Sequence, residues 1–188
     1  AGIIGDIGLN SDSVPCPAGT KDLGVANTRY TGSFKKEAGV LKIRLCQIAE
    51  IPGEGNDING NRISGGAVVN SRVAQAWLGL AQAAKAAGIS LVSNSSFRLA
   101  DSCGGSGDGS LCATAGSSPH QLGIAIDFNG MDVTGTSTTS CSGRAKDPSN
   151  PAWNWLYSNA EKWGIKQYTK EAWHWDLLNT ASRCSSLN

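Results

Sequence analysis

Apolar and polar positions along this chain fall into short blocks with different periods. VLKIRLCQI, residues 40–48, alternates with the period of two that a half-buried strand shows. NSRVAQAWLGLAQAAKAAG, residues 70–88, instead repeats Val73, Trp77, Leu80, Ala84 and Ala87 at helical spacing. Asn70 stands where it can cap the first turn, and Gly88 where it can close the last in the left-handed conformation. ISLVS (89–93) and GIAIDF (123–128) predict strands. DPSNPAWNWLYSNAEKWG (147–164) predicts a second helix, with Asn150 as cap, Pro151 in the first turn and Gly164 at the end. IKQY (165–168) and AWHWDLL (172–178) predict two more strands, while DSCGGSGDGSLC (101–112) follows neither period and predicts a loop.

The blocks imply an α+β protein. At 188 residues the chain is long enough to bury a real core, and it shows no internal repeat and no dividing linker. Residues 1–66, rich in Gly, Asn and Asp, predict an N-terminal annex of short strands and loops, with the remaining residues 67–188 as the main domain. Within the annex, DINGN (57–61) has a calcium-like spacing, but Val68 stands where the closing glutamate is needed. GGSGDG lacks the strand-to-helix setting of a nucleotide loop, so both stretches predict plain turns.

Charge and cysteine usage narrow the class. Sixteen basic against fifteen acidic residues leave a net charge of +1, without the basic field that draws proteins to nucleic acid. No run of eighteen apolar residues predicts a membrane span, and AGIIGDIG at the start reads as a processed, mature N-terminus. Six cysteines with no C-x-x-C pair predict three disulfides and an extracellular protein. The most local of the possible arrangements pairs Cys16 with Cys46, Cys103 with Cys112 and Cys141 with Cys184.

The chain has two histidines, and each stands near a carboxylate: His120 seven residues before Asp127, His174 three after Glu171. Fully extended, residues 120–127 would span about 23 Å at roughly 3.3 Å per residue, too far for both side chains to reach one ion. A shared site therefore requires a bend, and Gly123 is where the chain can make one cheaply. Beyond it, alternation puts Gly123, Ala125 and Asp127 on one face, leaving room beside the carboxylate, and Ile124, Ile126 and Phe128 on the other. Two imidazoles and one carboxylate are a ligand set that catalytic zinc uses, with a fourth position left for water. Glu171 then stands close enough to act as a base without binding the metal. Taken singly, a histidine near a carboxylate is more often a hydrogen-bonded core or surface residue than a ligand. No G-x-S-x-G supports a serine nucleophile instead.

Ser118, His120, Gly123, Ala125 and Asp127 fit S-x-H-x-x-G-x-A-x-D, and Glu171, Trp173, His174 and Trp175 fit E-x-W-H-W. In these two blocks the chain resembles the VanY-type D-alanyl-D-alanine carboxypeptidases. The wider group joins lysostaphin-type enzymes, D-Ala-D-Ala metallopeptidases and hedgehog signalling domains on a small antiparallel sheet with helices packed to one side. The resemblance covers roughly residues 67–180 and leaves the first 66 unexplained. It implies a secreted, monomeric peptidase of peptidoglycan peptides, most simply a D,D-carboxypeptidase, with a catalytic domain at 67–188. His120, Asp127 and His174 would be ligands of Zn2+ and Glu171 the general base. Arg98, at the end of ISLVSNSSFR, would stabilise the developing oxyanion, although on the residues alone an ordinary surface ion pair fits it as well.

The resemblance further places Ser118 in the site, where a turn role is the alternative. Trp173 and Trp175 would stand beside His174, one of them expected in the core. An endopeptidase cutting in the cross-bridge, or between L-Ala and D-Glu, would use the same residues. A non-catalytic binding module that keeps zinc for stability is the alternative of another class; the presence of Glu171 argues against it, because a structural site needs no base. The chain departs from the family pattern after Arg98, where FRLADSCGGSGDGSLC replaces a stretch that commonly holds a serine and a glutamine. That departure bears on substrate preference.

Overall fold

The alternating block at 40–48 becomes one arm of the longest strand pair. In the computed structural model, which describes residues 10–30, 39–99 and 118–187, Lys21–Tyr30 (β1) and Gly39–Ile48 (β2) run antiparallel. Leu41, Ile43 and Leu45 are buried, while Val40 before them and Lys42 between the first two are exposed. From Leu45 onward β2 is buried on both faces, because Ala67–Asn70 (β5) joins it there as the third strand of the sheet. The β1 arm is longer than the short strands expected of this region. Its apolar positions are broken by Gly24 and Asn27, and its register slips between Asp22 and Gly24. Between β2 and β5, Gly55–Asn56 (β3) and Arg62–Ile63 (β4) form a small ribbon. The DINGN stretch is the turn within it, closed by the Asp57 carboxylate, which accepts from the Asn59 and Asn61 N–H groups.

Helix α1, Ser71–Ala86, starts and stops on the expected residues. The Asn70 carboxamide oxygen accepts from the Arg72 N–H, and Gly88 adopts φ of +72° just past the end. Ala87 is the cap itself and is exposed, so the buried stripe consists of Val73, Ala74, Trp77, Leu78, Leu80, Ala81 and Ala84. This stripe lies on β2 and β5 and meets the second half of the molecule through Trp77. The Trp77 indole is fully buried, packs edge-on against Phe128 with ring centroids 6.1 Å apart, and donates to the Ile124 carbonyl.

The second sheet is antiparallel throughout, in the order β10-β8-β9-β7-β6, with strands Ser93–Ser95 (β6), Ile126–Phe128 (β7), Lys166–Tyr168 (β8), His174–Asp176 (β9) and Arg183–Cys184 (β10). The described residues thus hold three small antiparallel sheets and two helices, in keeping with the α+β class that the sequence implies. Each of the four apolar runs that predict strands of the second sheet is longer than the strand it gives, and the run at 89–93 is also shifted, to 93–95. Residues 89–92 are not in the ladder; the Ile89 N–H is taken by the Ala84 carbonyl at the end of α1, and the Val92 carbonyl accepts from the Asn129 N–H just beyond β7. Gly123–Ala125 lie in a turn and its exit: Gly123 has φ of +72°, and its carbonyl accepts from the Asn70 N–H at 2.8 Å. The Asn70 side chain also donates to the Leu122 carbonyl, so the residue that caps α1 clamps the turn after His120 as well.

Helix α2, Pro151–Asn159, carries the expected Asn150 cap and continues as a 3-10 turn, Ala160–Trp163, up to Gly164 in the left-handed conformation. Disulfides join Cys16 to Cys46 and Cys141 to Cys184, as the local arrangement predicts. Cys103 and Cys112 lie outside the described residues. No helix among the described residues is long and apolar enough to cross a membrane.

The two left-handed glycines separate conformational strain from crowding. A Cβ at Gly164 would meet nothing within 4 Å, whereas one at Gly123 would lie 2.9 Å from the Asn70 nitrogen. Gly164→Ala should therefore cost about 1 kcal/mol for the backbone conformation alone, and Gly123→Ala about 3 kcal/mol or more. Chemical denaturation measures both, and equal costs would contradict the clamp at Asn70.

Candidate metal centre

His120 sits in a tight turn at 118–123 that hydrogen bonds hold from both sides. Its N–H donates to Ser118 Oγ at 3.2 Å, and its carbonyl accepts from the Arg98 N–H at 3.1 Å and the Gly123 N–H at 3.2 Å. Asp127 and His174 are directly opposite each other in the β7–β9 register. The bend at Gly123 thus brings His120 back over a strand pair that already aligns the other two residues.

The three side chains converge. His120 Nε2 lies 3.1 Å from Asp127 Oδ1 and 3.2 Å from His174 Nδ1, and His174 Nδ1 lies 3.0 Å from the same Asp127 oxygen. Among the described residues, this is the group of side chains able to hold a metal ion, and all three are largely buried.

The outer nitrogens decide what the inner ones present. His120 Nδ1 is 2.7 Å from the Ser96 carbonyl, which can only accept, so that nitrogen carries the proton. His174 Nε2 is 2.7 Å from Asp176 Oδ2, and Asp176 is held ionised, because Arg183 and His174 outweigh the burial that opposes its charge. Nε2 of His174 is therefore also a donor. Neutral imidazoles in these two tautomers point lone pairs at each other and at an ionised carboxylate, an arrangement that repels unless a cation lies among them. Bonds of about 2.0–2.1 Å around a tetrahedral ion set its ligands about 3.3–3.4 Å apart, close to the spacing found here. The donor set and its supporting hydrogen bonds fit zinc.

Titration behaviour agrees. Burial opposes charge on His174, but hydrogen bonds to Asp127 and Asp176 overcome it and raise the pKa to about 9. Burial lowers that of His120, with Arg98 and His174 acting in the same direction. Asp127 is held well below the usual carboxylate range despite burial, by the two histidines. Without a metal, one proton on His174 balances the cluster.

Glu171 lies beside the cluster and outside it, its Oε1 3.8 Å from His174 Nδ1. Burial, reinforced by Asp127, raises its pKa to about 7 against the opposing pull of His174 and Arg98. Its turn is fixed by the wholly buried Gln167, whose Nε2 donates to the Glu171 carbonyl at 3.3 Å. Arg98 Nη2 lies 3.3 Å from Asp127 Oδ2, the carboxylate oxygen turned away from the histidines. Its ion pair is therefore with the cluster itself and is partly buried, unlike an ordinary surface pair.

The remaining expected residues divide. Ser118 supports the His120 turn through its hydroxyl. Trp173 is half-buried beside β9. Trp175 belongs to the core at 1% exposure, its indole donating to the Ala172 carbonyl, and so it is the expected core member of the pair. Asp176, Arg183 and the Ser96 carbonyl were not anticipated from the sequence. Asp176 had a usable signal, since it is two residues from His174 and thus on the same face of a strand. The other two had none.

No known family's sequence profile matches the chain, and no curated protein does. Among solved structures, the chain is similar to a variant of the vancomycin-resistance D,D-pentapeptidase VanY in complex with Zn(II), at 20% identity and a TM-score of 0.43, over 61% of this chain and 75% of that one. It is likewise similar to VanYB in complex with D-alanine-D-alanine, at 19% identity and a TM-score of 0.45, over 62% and 75% of the two chains. The LD-carboxypeptidase LdcB matches at 23% identity and a TM-score of 0.43, over 60% of each chain.

The raised His174 pKa carries a sign that can be checked. A folded value of about 9 lies above the ordinary 6.5, so in metal-free protein this proton's stabilisation is fully present below pH 6.5 and is lost as pH rises through 9. Thermal midpoints of metal-free protein should fall across that window, while metal-loaded protein should not show the fall. Metal uptake near neutral pH should also release a proton, which calorimetry in buffers of different ionisation enthalpy detects.

Proposed function

We propose that this protein is a secreted zinc peptidase of peptidoglycan stem peptides that removes the terminal D-alanine as a D,D-carboxypeptidase. The observation that carries the reading is the pair of outer hydrogen bonds, from His120 to Ser96 and from His174 to Asp176. They commit both imidazoles to aim lone pairs at Asp127, and an unbound carboxylate, Glu171, stands alongside. The substrate class comes from the S-x-H-x-x-G-x-A-x-D and E-x-W-H-W blocks, which contain these same residues. In this reading residues 67–188 form the catalytic part, and residues 1–66 an annex whose β2 is bonded to β5.

His120, Asp127 and His174 would hold the ion, which when bound supplies Lewis-acid activation of water and of the scissile carbonyl. Glu171 takes the proton from the attacking water and delivers it to the departing amine of D-alanine, so that one water is consumed for each peptide bond cut. Its burial keeps the carboxylate basic enough to accept that proton near neutral pH. Arg98 faces the negative charge that develops on the carbonyl oxygen, and its contact with Asp127 holds the guanidinium against the site. Trp173 walls the approach. Ser118 keeps the His120 turn closed through its hydroxyl, which accepts from the His120 N–H.

Wild-type protein should bind one zinc per chain, and His120→Ala should lose it; equal zinc retention in both would remove the proposed site. Glu171→Gln should keep zinc and fold while losing at least about a hundredfold in turnover on a muropeptide ending in D-Ala-D-Ala, with product loss read by mass spectrometry. A wild-type product cut inside the stem or cross-bridge would replace the carboxypeptidase reading with an endopeptidase one.

Arg98→Lys keeps the charge but not the planar fork, so turnover should drop with zinc still bound, and Arg98→Ala should lose about 100- to 1000-fold. A higher KM at constant kcat would show instead that Arg98 only binds substrate.

A further inference from the structure

The peptidase reading uses the Asp176 carboxylate behind His174, but not the guanidinium of Arg183 that holds this carboxylate in turn. Asp176 is completely buried, and each of its oxygens accepts two hydrogen bonds. Oδ1 takes Arg183 Nε at 2.8 Å and the Leu178 N–H at 3.0 Å; Oδ2 takes Arg183 Nη2 at 2.7 Å and His174 Nε2 at 2.7 Å. Four bonds in these directions leave the carboxylate no rotation. Two of the four come from one guanidinium.

Arg183 is itself held from several sides. Its guanidinium lies over the Tyr168 ring, 4.8 Å from the centroid, and Tyr168 meets the His174 imidazole edge-on at 5.9 Å. Its backbone pairs with Tyr168 across β8–β10, and its neighbour Cys184 is tied to Cys141. The tyrosine and the carboxylate therefore both meet the imidazole, and the arginine contacts both of them.

Resting on the proposed zinc reading, we infer that Arg183 is a positioning residue for the metal ligand His174, acting through Asp176 to fix the orientation of the imidazole and hold Nδ1 toward Asp127. Its guanidinium is separated from His174 Nδ1 by a carboxylate and an imidazole ring and does not touch the cluster. Removing it leaves each Asp176 oxygen with one of its two bonds, so the carboxylate can turn and the ring can follow.

Electrostatics and positioning predict opposite signs. Deleting a positive charge near a cation site strengthens the attraction for the cation, so Coulomb's law alone would have Arg183→Met bind zinc more tightly. Loss of a partner that orients a ligand instead weakens binding, by about 10- to 100-fold for supporting residues of this kind. The direction of the change identifies the cause.

The test is zinc affinity, measured by competition with a chelator on the full chain, for wild type, Arg183→Met and Arg183→Lys. Metal-free circular dichroism reports whether each variant folds. We expect Arg183→Met to bind about 10- to 100-fold more weakly, and Arg183→Lys, which keeps the charge but loses the fork, to weaken binding too. If Arg183→Met does not fold, Arg183→Lys decides. In zinc-loaded wild type, the His174 Nε2 proton should also exchange slowly with solvent, and faster in Arg183→Lys. Unchanged or tighter zinc binding in a folded variant would overturn the inference while leaving the metal site standing. Failure of wild type to bind zinc would overturn both.

Discussion

Three electron-pair donors held within about 3 Å of one another, inside the protein and without protons of their own between them, are the constraint on which the rest of this structure depends. His120 Nε2, His174 Nδ1 and Asp127 Oδ1 can approach so closely only with a positive charge among them. Either a proton on His174 or a metal ion supplies it. The raised His174 pKa and the fit of the cluster to a divalent ion are thus two expressions of one geometry, and a proton and an ion would compete for it.

Holding such a cluster together requires rigidity in elements that are individually short. The strands that carry it, β7 and β9, have three residues each, too few to be stable alone. Their register is secured by residues on the far side of the sheet. Ile126, Phe128 and Trp175 are buried in the core, and Trp77 of α1 packs on Phe128. The turn that returns His120 to the strand pair is clamped by Asn70, the residue that also starts α1. The N-terminal sheet, the helix and the site are consequently linked through single side chains. A fault at Asn70 or Gly123 would reach the imidazole of His120 without touching it.

Buried charge around the centre is arranged so that each group has a partner of opposite sign or a full set of hydrogen bonds. Asp127 faces Arg98 on one oxygen and the histidines on the other, and Asp176 faces Arg183. Glu171 is the exception in kind. Its carboxylate lies next to the cluster but is excluded from the close contacts, and burial leaves it more basic than an ordinary glutamate. A carboxylate in that condition is suited to moving a proton and poorly suited to being a fixed ligand.

Much of this was legible in the sequence, for reasons that can be stated residue by residue. Both helices declare themselves through local chemistry: Asn70 and Asn150 as caps, Gly88 and Gly164 as stops, and an apolar stripe from Val73 to Ala84. Gly123 was recognisable as a bend because a His–Asp pair seven residues apart cannot meet on a straight strand. Such features depend on neighbours within a few positions, which the chain order specifies directly. The shift of the strand expected at 89–93 to 93–95 did not: there the Ile89 N–H is bonded to the end of α1 and the Ser93 N–H to the Pro52 carbonyl, partners that only the fold supplies. The pairing of Asp176 with Arg183, the support of His120 by the Ser96 carbonyl and the placing of Arg98 on Asp127 were equally hidden. These contacts join residues through the folded sheet, and an arginine or a backbone carbonyl has no sequence periodicity that marks its partner. Local order thus determined the helices, the bend and the candidate ligands, whereas only the tertiary structure decided how the imidazoles are aimed, since their tautomers are set by acceptors that the fold brings to their outer nitrogens.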